Sequence, residues 1–350
     1  MSKFSIKDHQ TEKLADNLLQ DEKNRLASMQ DDLAQEEIDK LPEELFERAE
    51  YNEQAAEKTG YSNYSYWGST LRAFTKNKMA VGMLIVIFVI LLFTFIQPYL
   101  PGQYDPNQIN NDPATGMQIM NQKPNSQFWL GTNSIGQDMW ARLWSGTRTS
   151  LFIGFSVAII QAIIGIVMGV IWGYVRATDF FFTELYNIIS NIPTTIVLIL
   201  ASYIMKPSVS TIIIAMCVTG WLGMARFIRN QVLIIRDRDF NMASRCLGSP
   251  LHYIIFKNLL PHMVSVTMLQ MALAIPGAIA SEVFLTYIGL GLPLETPSLG
   301  NLVNSGRMLM MSPSLRYQLI FPALILSIIT ICFYLVGNAF ADAADPKNHL

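Results

Sequence analysis

The sequence has little charge, and its charges are unevenly placed along 350 residues. Charged residues make up 15% of the chain, whereas about 25% is usual for a soluble domain. Residues 1–60 hold 16 of the 27 acidic and 8 of the 25 basic residues, so this region is strongly acidic. The rest of the chain is mildly basic and rich in apolar residues. This contrast excludes a uniformly soluble protein and predicts an acidic soluble leader joined to a membrane-embedded region.

Motifs that would indicate metal, disulfide or nucleotide chemistry are missing from the sequence. The three cysteines, Cys217, Cys246 and Cys332, show no CxxC spacing, so we interpret them as free side chains. There is no GxxxxGK[ST] run of the kind that cradles phosphates, and residues 1–8 lack the apolar core of a signal peptide. We therefore predict a chain that binds no metal, cofactor or nucleic acid and whose leader remains in the cytosol.

Six runs without Asp, Glu, Lys or Arg are long enough to cross a bilayer as helices, which takes roughly 20 residues. They are rich in Ile, Leu, Val, Met and Gly, as expected for lipid-facing helices with small residues at their contacts. A large soluble helical protein is the alternative, but six such runs argue against it. The sequence therefore predicts an all-α integral membrane protein with six transmembrane helices. Their predicted bounds are 79–100, 149–175, 183–205, 207–228, 263–288 and 317–341.

The basic residues between these spans predict the orientation of the chain. With the N-terminus inside, eleven of the Lys and Arg residues in 61–350 lie on the inner side and six on the outer side, as the positive-inside rule requires. Both termini are then cytosolic. The remaining segments are a helical or partly disordered leader at 1–60, an interfacial amphipathic segment at 61–78, extracellular segments at 101–148 and 289–316, a cytosolic loop at 229–262 and a cytosolic tail at 342–350.

The cytosolic loop carries the most informative pattern. Ser249 and Pro250 suit the first positions of a helix, and Pro261 limits how far that helix continues. Between them, four apolar residues are spaced i, i+3, i+4 and i+8, which predicts one apolar stripe along a short helix. The membrane face, the chain's own helices and a groove in another protein all remain open as partners of this stripe. The four residues are Leu251, Ile254, Ile255 and Leu259.

Residues 239–248 (DFNMASRCLG) and 254–261 (IIFKNLLP) resemble the EAA loop of the permease subunits of ABC importers. Ala243 and Gly248 match the family pattern, and so does the Leu-Pro pair that ends the second stretch. Met242 replaces the usual Glu of that pattern, and Ser244 replaces its second Ala. The resemblance implies that this loop couples the permease to an ATPase. The implied coupling residues are Met242, Ala243, Ser244, Gly248, Leu251, Ile254, Ile255, Leu259 and Pro261.

Two further stretches resemble the dipeptide, oligopeptide and nickel importers within this family. Residues 128–151 are similar to the F-x-x-LGTD-x-x-GRD…R…GTR-x-SL stretch of those permeases, with Asn133 and Gln137 in place of Asp and Arg. Residues 282–300 are similar to their E…LGLG…PPTPSWG stretch. The order of these motifs along residues 70–350 implies the C-type permease subunit of an oligopeptide importer, with a dipeptide or nickel importer as the alternative.

The resemblance also implies a fold and a set of partners. The fold would be that of a type I ABC importer permease with six transmembrane helices, embedded in the lipid of the bacterial cytoplasmic membrane. The chain itself would be no enzyme, because two cytosolic ABC ATPase subunits would use ATP and Mg. A second homologous permease subunit would complete the translocation pathway, and an extracellular peptide-binding protein would deliver the peptide substrate.

Four charged residues near the outer side are further candidates for functional sites. Glu282 lies at the outer end of the fifth span, where a carboxylate either lines the translocation path, remains solvated at the interface, or pairs with Arg307 or Arg316. Three more residues match the family stretch before the second span, and they either contact the binding protein or form a local salt bridge or helix cap. They are Asp138, Arg142 and Arg148.

A membrane enzyme and a gated channel are the competing classes of function. An intramembrane serine protease would need a nucleophile motif such as G-x-S-x-G together with a His in another span. An aspartyl enzyme would need paired acids within its spans. Neither pattern occurs in this sequence. A channel would conduct without any ATPase partner, so conductance of the isolated chain would distinguish that class.

Overall fold

The computed structural model of the chain describes residues 66–344, and its regular structure there is helical apart from two isolated β-bridges. The prediction of an all-α fold is confirmed for these residues. The acidic leader at 1–60, residues 61–65 and the end of the tail from 345 onward lie outside the described residues. The sequence-based expectations for those segments therefore stay predictions.

The described helices comprise long, apolar ones and shorter ones. A 3₁₀ turn, Gln97–Tyr99, follows α2, and a π-helical segment, Ile254–Leu259, joins α8 to α9. The helices are α1 (Tyr66–Lys76), α2 (Lys78–Ile96), α3 (Met139–Tyr174), α4 (Arg176–Ser190), α5 (Thr194–Ile204), α6 (Val209–Arg236), α7 (Asp239–Cys246), α8 (Leu251–Tyr253), α9 (Leu260–Tyr287), α10 (Leu299–Met308) and α11 (Tyr317–Ala344).

Within residues 66–344, five stretches are long and apolar enough to cross a membrane, and a bent pair of helices makes a sixth. The bent pair is α4 with α5, which meet at 75°, so the single helix predicted at 183–205 is broken. Pro193 lies in the break, where it has no N–H to donate and disfavours helical backbone in the residue before it. The five stretches are Lys78–Tyr99, Met139–Tyr174, Val209–Arg236, Val266–Tyr287 and Tyr317–Ala344.

Two long helices extend beyond the spans predicted for them. The helix α3 begins at Met139 rather than at 149, and α6 ends at Arg236 rather than at 228. Charge-free windows miss such ends because charged side chains limit them: Arg148 precedes the predicted start at 149, and Arg226 lies two residues before the predicted end at 228. Asp138 fixes the start of α3 by capping its first N–H groups. The extra turns carry α3 and α6 past the apolar windows at either end of the bundle.

The helices α3 and α6 pack together through small residues. Gly165, Gly169 and Gly173 recur every four residues along α3 and face α6. A methyl group added to Gly169 would lie 2.5 Å from the carbonyl oxygen of Ala225, and one added to Gly173 would lie 2.8 Å from Cβ of Val232. Only glycine permits such a close approach of two helices, which is a common way for membrane helices to associate.

A second set of contacts joins α9 to α3, α10 and α11. Ile279, Leu299 and Ile329 come from α9, α10 and α11 respectively, and all three belong to one buried apolar cluster. The short helix α10 is therefore packed onto the long helices.

The bundle has two ends of different construction, and α3, α6 and α9 each run from one to the other. The cap end comprises residues 97–138 and 288–316 and includes α10. The loop end comprises residues 237–259, between α6 and α9. At the cap end, the hydroxyl of Tyr317 donates to the carbonyl oxygen of Thr132 at 2.7 Å, which fastens an irregular segment to α11.

Candidate functional site

The helix α7, at the loop end, finishes in a Schellman motif formed around Gly248. The N–H of Ser249 donates to the carbonyl oxygen of Ser244 at 3.0 Å, and the N–H of Gly248 donates to that of Arg245 at 3.0 Å. Gly248 has a φ of 73°, which glycine adopts without steric cost. An added Cβ would touch nothing within 4 Å. The motif therefore requires glycine for its backbone conformation and not for space.

The apolar stripe predicted from Leu251 to Leu259 includes a π-helical segment, and only part of the stripe is buried. On an α-helix, residues five apart such as Ile254 and Leu259 lie about 140° apart around the axis. The π turn contains an additional residue and brings both side chains into one cluster, where they are 2% and 0% exposed. Leu251, by contrast, is 44% exposed. The prediction of one continuous buried stripe is therefore wrong, because Leu251 is exposed while the π turn places Ile254 and Leu259 together in the core.

Ile254 and Leu259 pack against the chain's own helices. Their cluster draws residues from α3, α6 and α9, so the chain itself is the partner of these two side chains. Buried in this way, they position the loop but are not available to contact another protein. The other buried members of the cluster are Val170, Ile228, Val232, Ile235 and Met263.

Several other apolar side chains of the loop end are exposed, and we call four of them, Leu247, Phe256, Met242 and Leu251, the loop-end apolar residues. Leu247 is 85% exposed, Phe256 69%, Met242 49% and Leu251 44%. Exposed apolar surface of this kind is typical of sites that meet another protein. Of the remaining coupling residues implied by the sequence, Ala243, Gly248 and Pro261 are exposed, and Ser244 and Ile255 are half-buried.

Arginine side chains on the loop-end side of the bundle are held by aromatic rings and by ion pairs. Such cation–π contacts fix a guanidinium group while leaving its charge in place. The Nη2 atom of Arg229 also lies 2.6 Å from Oδ1 of Asp179, which connects α6 to α4. The stacked pairs are Arg226 with Tyr186 at 4.6 Å, Arg229 with Trp172 at 5.0 Å and Arg245 with Tyr174 at 5.1 Å.

At the cap end, Asp138 and Arg148 contact their own chain. Asp138 is 3% exposed and accepts hydrogen bonds from the N–H groups of Trp140 and Ala141, so it is the N-cap of α3. Burial raises the pKa of Asp138, and the two N–H groups oppose that shift. Arg148 donates from Nη1 to the carbonyl oxygen of Thr94 at 3.2 Å, which joins α3 to the end of α2.

Arg142 is 4% exposed and connects the two segments of the cap end. Its Nη2 atom donates to the carbonyl oxygen of Leu294 at 2.8 Å. Its Nη1 atom lies 2.6 Å from Oε1 of Gln137 and within 3.3 Å of oxygen atoms of Pro106 and Asn107. Asp138 and Arg142 are thus buried in polar contacts of their own chain, and in this structure they are not available to a docked binding protein.

Glu282 is completely buried, with 0% exposure, where α3, α9 and α10 meet. The hydroxyl of Ser298 donates to Oε1 at 2.7 Å, and the hydroxyl of Ser150 donates to Oε2 at 3.2 Å. The hydroxyl of Thr286 lies 3.2 Å from Oε1, and the N–H of Gly300 also donates to the carboxylate. These contacts set the carboxylate at the N-terminus of α10, where the helix dipole favours negative charge.

This arrangement corrects the three roles that the sequence left open for Glu282. The side chain is not solvated, and it pairs with neither candidate arginine: Arg307 stacks on the ring of Tyr287 at 4.0 Å, and Arg316 donates to the carbonyl oxygen of Met310 at 3.1 Å. It does not line an open path in this structure, because hydroxyl groups and backbone enclose it. Glu282 instead fastens α10 to α3 and α9.

Sequence reasoning missed the residues that hold this carboxylate. Ser298 donates to Glu282 and also caps α10, and the hydroxyl of Ser150 both donates to Glu282 and accepts from the N–H of Leu299. A Cβ on Gly300 would lie 2.5 Å from Oε1 of Glu282, so glycine is required there. The only available signal was that a buried carboxylate needs donors, and nothing in the sequence shows which distant residues supply them.

No group of three or more His, Cys, Asp or Glu side chains within residues 66–344 is arranged to hold a metal ion. The buried carboxylate of Glu282 is surrounded by hydroxyl and amide donors, which hydrogen-bond to an anion and do not form a cluster of metal ligands. The candidate sites of this chain are therefore a closed polar junction at the cap end and an exposed apolar surface at the loop end.

Comparison with known families matches both halves of this membrane region. The family described as "Binding-protein-dependent transport system inner membrane component" matches residues 161–349, which is more than half of the chain. A second family, described as "N-terminal TM domain of oligopeptide transport permease C", matches residues 65–124.

Three relatives are similar over almost their whole length. The oligopeptide transport system permease protein AmiD of Streptococcus pneumoniae is 35% identical over 88% of this chain and 99% of its own. The oligopeptide transport system permease protein OppC of Bacillus subtilis is 33% identical over 88% of this chain and 98% of its own. The dipeptide transport system permease protein DppC of the same organism is 33% identical over 91% of this chain and 97% of its own.

Among solved structures, a chain of the MetNI methionine ABC transporter in an inward-facing conformation is 18% identical, with a TM-score of 0.47 over 58% of this chain and 97% of that one. The family match and the relatives confirm the permease resemblance and the helical permease fold that the sequence motifs indicated. This chain is therefore a multi-pass membrane protein that belongs to the family of binding-protein-dependent transport system inner membrane components.

Proposed function

We propose that the chain is the C-type permease subunit of an ATP-driven oligopeptide importer and forms half of its translocation pathway. The match to the oligopeptide permease C family and the two oligopeptide permeases at 33% and 35% identity support this substrate class. Dipeptide import is the second candidate, because a dipeptide permease is also 33% identical. Uptake of a dipeptide and of a series of longer peptides by the reconstituted complex distinguishes the two, since import limited to the dipeptide contradicts the first.

The loop end is the docking site for an ATPase subunit. The observation that carries this assignment is the exposure of the loop-end apolar residues, with Leu247 at 85% and Phe256 at 69%. Met242 suits such a contact because an unbranched thioether adapts to irregular apolar surfaces. The glutamate usual at that position would have offered a charge, so docking here depends more on apolar contact.

Closure of the ATPase subunits on ATP and Mg then displaces the loop end. Ile254 and Leu259 carry the displacement to α3, α6 and α9, because side chains in a close-packed core do not yield independently. Gly165, Gly169 and Gly173 hold α3 against α6, so these two helices move together. This is a rigid-body change between two states, driven by ATP binding and hydrolysis in the partner subunits.

In the membrane, the loop end and both termini face the cytosol, consistent with the excess of Lys and Arg on that side. The cap end faces outward, towards a peptide-binding protein that delivers the substrate. That protein docks on residues other than Asp138 and Arg142, which are buried. A second homologous permease subunit provides the other half of the pathway, and the chain itself hydrolyses nothing.

The docking site is tested by the variants Leu247→Asp and Phe256→Asp in the tagged permease complex. We expect the ATPase subunits no longer to copurify, because a carboxylate in an apolar interface costs free energy on burial, while the second permease subunit remains bound. Met311→Asp is the matched control, since Met311 is 86% exposed at the cap end. Full recovery of the ATPase subunits with both loop-end variants would overturn this docking site.

A further inference from the structure

Polar contacts attach the helix α7 to the bundle. Asn241 is its only buried residue, whereas its apolar neighbour Met242 is 49% exposed. The Nδ2 atom of Asn241 donates to the carbonyl oxygen of Ile235 at 2.8 Å, near the end of α6. A buried amide that is satisfied in this way fixes one position of α7 on α6, because moving the helix would leave the amide unpaired.

The same face of α7 also holds a side chain of the π segment. The Nδ2 atom of Asn258 lies 3.1 Å from Oδ1 of Asn241 and 3.1 Å from Oγ of Ser244. Asn241 and Ser244 are both on α7, and Asn258 is two residues before the start of α9. We call these three side chains the loop clasp. They join the end of α6, the helix α7 and the base of α9.

The π turn accounts for the placement of Asn258. Ile254 and Leu259 are 2% and 0% exposed in the apolar cluster, so the segment is fixed on its core side. Asn258, adjacent to Leu259, then meets α7 and not the core. A π turn inserted into a helix often marks a functional element, and here it places an amide between α7 and the base of α9.

The sequence of α7 differs from the family pattern at the clasp itself. Ser244 stands where the EAA loop usually has its second Ala, and its hydroxyl is one of the two acceptors for Asn258. An alanine at this position offers no such acceptor. The chain that lacks the usual glutamate at Met242 therefore has an additional hydrogen bond two residues further on, between α7 and the base of α9.

We propose that the loop clasp makes α7 and the base of α9 move as one body, so that Asn258 is a positioning residue for transport. This inference rests on the proposed function, because it takes the loop-end apolar residues as the point at which the ATPase acts. The end of α7 also carries Arg245, which contacts Tyr174 and the carbonyl oxygen of Arg236. Those partners belong to α3 and α6, whereas the clasp connects α7 to the base of α9.

The test is Asn258→Leu in the complete reconstituted transporter, with ATP hydrolysis and peptide uptake measured separately. Leucine has a similar size but no amide, so we expect the ATPase subunits to stay bound and to keep hydrolysing ATP. Uptake per ATP hydrolysed is expected to fall at least about fivefold, within the range for disruption of a coupling element. Lys257→Ala, at the exposed neighbouring residue, is the matched control and should leave the ratio unchanged.

Ser244→Ala is the second variant and removes one of the two acceptors for Asn258. We expect a fall in uptake per ATP of about twofold, in proportion to a single neutral hydrogen bond, and this variant decides the question if Asn258→Leu does not assemble. If uptake per ATP hydrolysed is unchanged, the proposed role of the loop clasp is overturned. The same holds if the rates of uptake and of ATP hydrolysis fall in parallel. Failure of the docking proposal is distinguishable, because it appears as ATPase subunits that remain bound to Phe256→Asp.

Discussion

The two ends of the bundle use the residues of the sequence motifs in opposite ways. At the cap end, Asp138, Arg142 and Glu282 are 3%, 4% and 0% exposed, and each is surrounded by hydrogen-bonding groups of its own chain. At the loop end, Leu247 and Phe256 are 85% and 69% exposed although both are apolar. At these five positions the charged residues are buried and the apolar ones are exposed, which reverses the usual preference of side chains.

This difference separates residues that hold the chain together from residues left for a partner. A buried charge is tolerated only when it is hydrogen-bonded or paired, so the cap-end residues indicate fixed architecture. An exposed large apolar side chain gains free energy only when something covers it. The comparison thus predicts that changes at the cap end act first on stability, and that changes to exposed loop-end residues act first on association.

The largest effect on stability is expected for Glu282→Ala. The change leaves two serine hydroxyls and the N–H of Gly300 without their acceptor, and unsatisfied buried donors of this kind should lower the free energy of unfolding by about 4 kcal/mol in total. Thermal unfolding of the purified permease in detergent measures the change. Glu184→Ala, at an exposed acid of α4, is the control. An equal effect of the two variants would show that the buried carboxylate of Glu282 does not stabilise the fold.

The next largest effect is expected within the loop end itself. Leu259→Ala should cost about 3 kcal/mol, because it opens a cavity in the cluster between α3, α6 and α9. Leu247→Ala makes the same chemical change at an exposed position and should cost less than about 0.5 kcal/mol. The same unfolding assay compares the two, and similar costs would contradict the division of the loop-end apolar side chains into buried and exposed ones.

Arg142→Met is expected to destabilise the cap end by about 2 kcal/mol. The variant keeps an apolar stem of similar length but removes the bonds to Gln137 and to the carbonyl oxygen of Leu294, and bonds to a charged donor are worth more than neutral ones. Unfolding in detergent gives the stability, and ATPase copurification should be unchanged. Loss of the ATPase subunits without loss of stability would instead indicate that Arg142 acts in binding a partner and not in stabilising the cap end.

The smallest of these effects is expected for Asp138→Ala, at about 1 kcal/mol, the usual cost of removing an N-cap. Asp138→Asn is the matched variant, because asparagine also accepts from the N–H groups at the start of α3 and should retain most of the stability. If Asp138→Asn were as damaging as Asp138→Ala, the negative charge and not the cap would be the function of this residue.

Much of the fold was predictable because apolar length is a local property of the sequence. Each of the long helices overlaps one of the predicted spans, and Gly248 lies at a helix end where a positive φ is required. The break near Pro193 turned one predicted span into two helices, because the apolar count of a window does not register a lost backbone hydrogen bond.

The candidate sites were less predictable because burial depends on distant residues. Glu282 is enclosed by Ser150, which is 132 positions away, and no spacing rule connects the two. The π turn at Ile254–Leu259 adds a single residue to a helical repeat, so the pattern that predicted one stripe assigned Leu251 and Leu259 to the same face. Residue types at the loop end were informative, but their division into buried and exposed sets required the structure.

The most direct test of the account is the affinity of the ATPase subunits for the permease in lipid nanodiscs, measured by titration. We predict that Leu247→Asp weakens this affinity at least about tenfold, as truncation of a central interface contact does, while Met311→Asp, at a residue of equal exposure on the cap end, leaves it unchanged. Equal affinities for the two variants would contradict the claim that the exposed apolar residues of the loop end bind the ATPase.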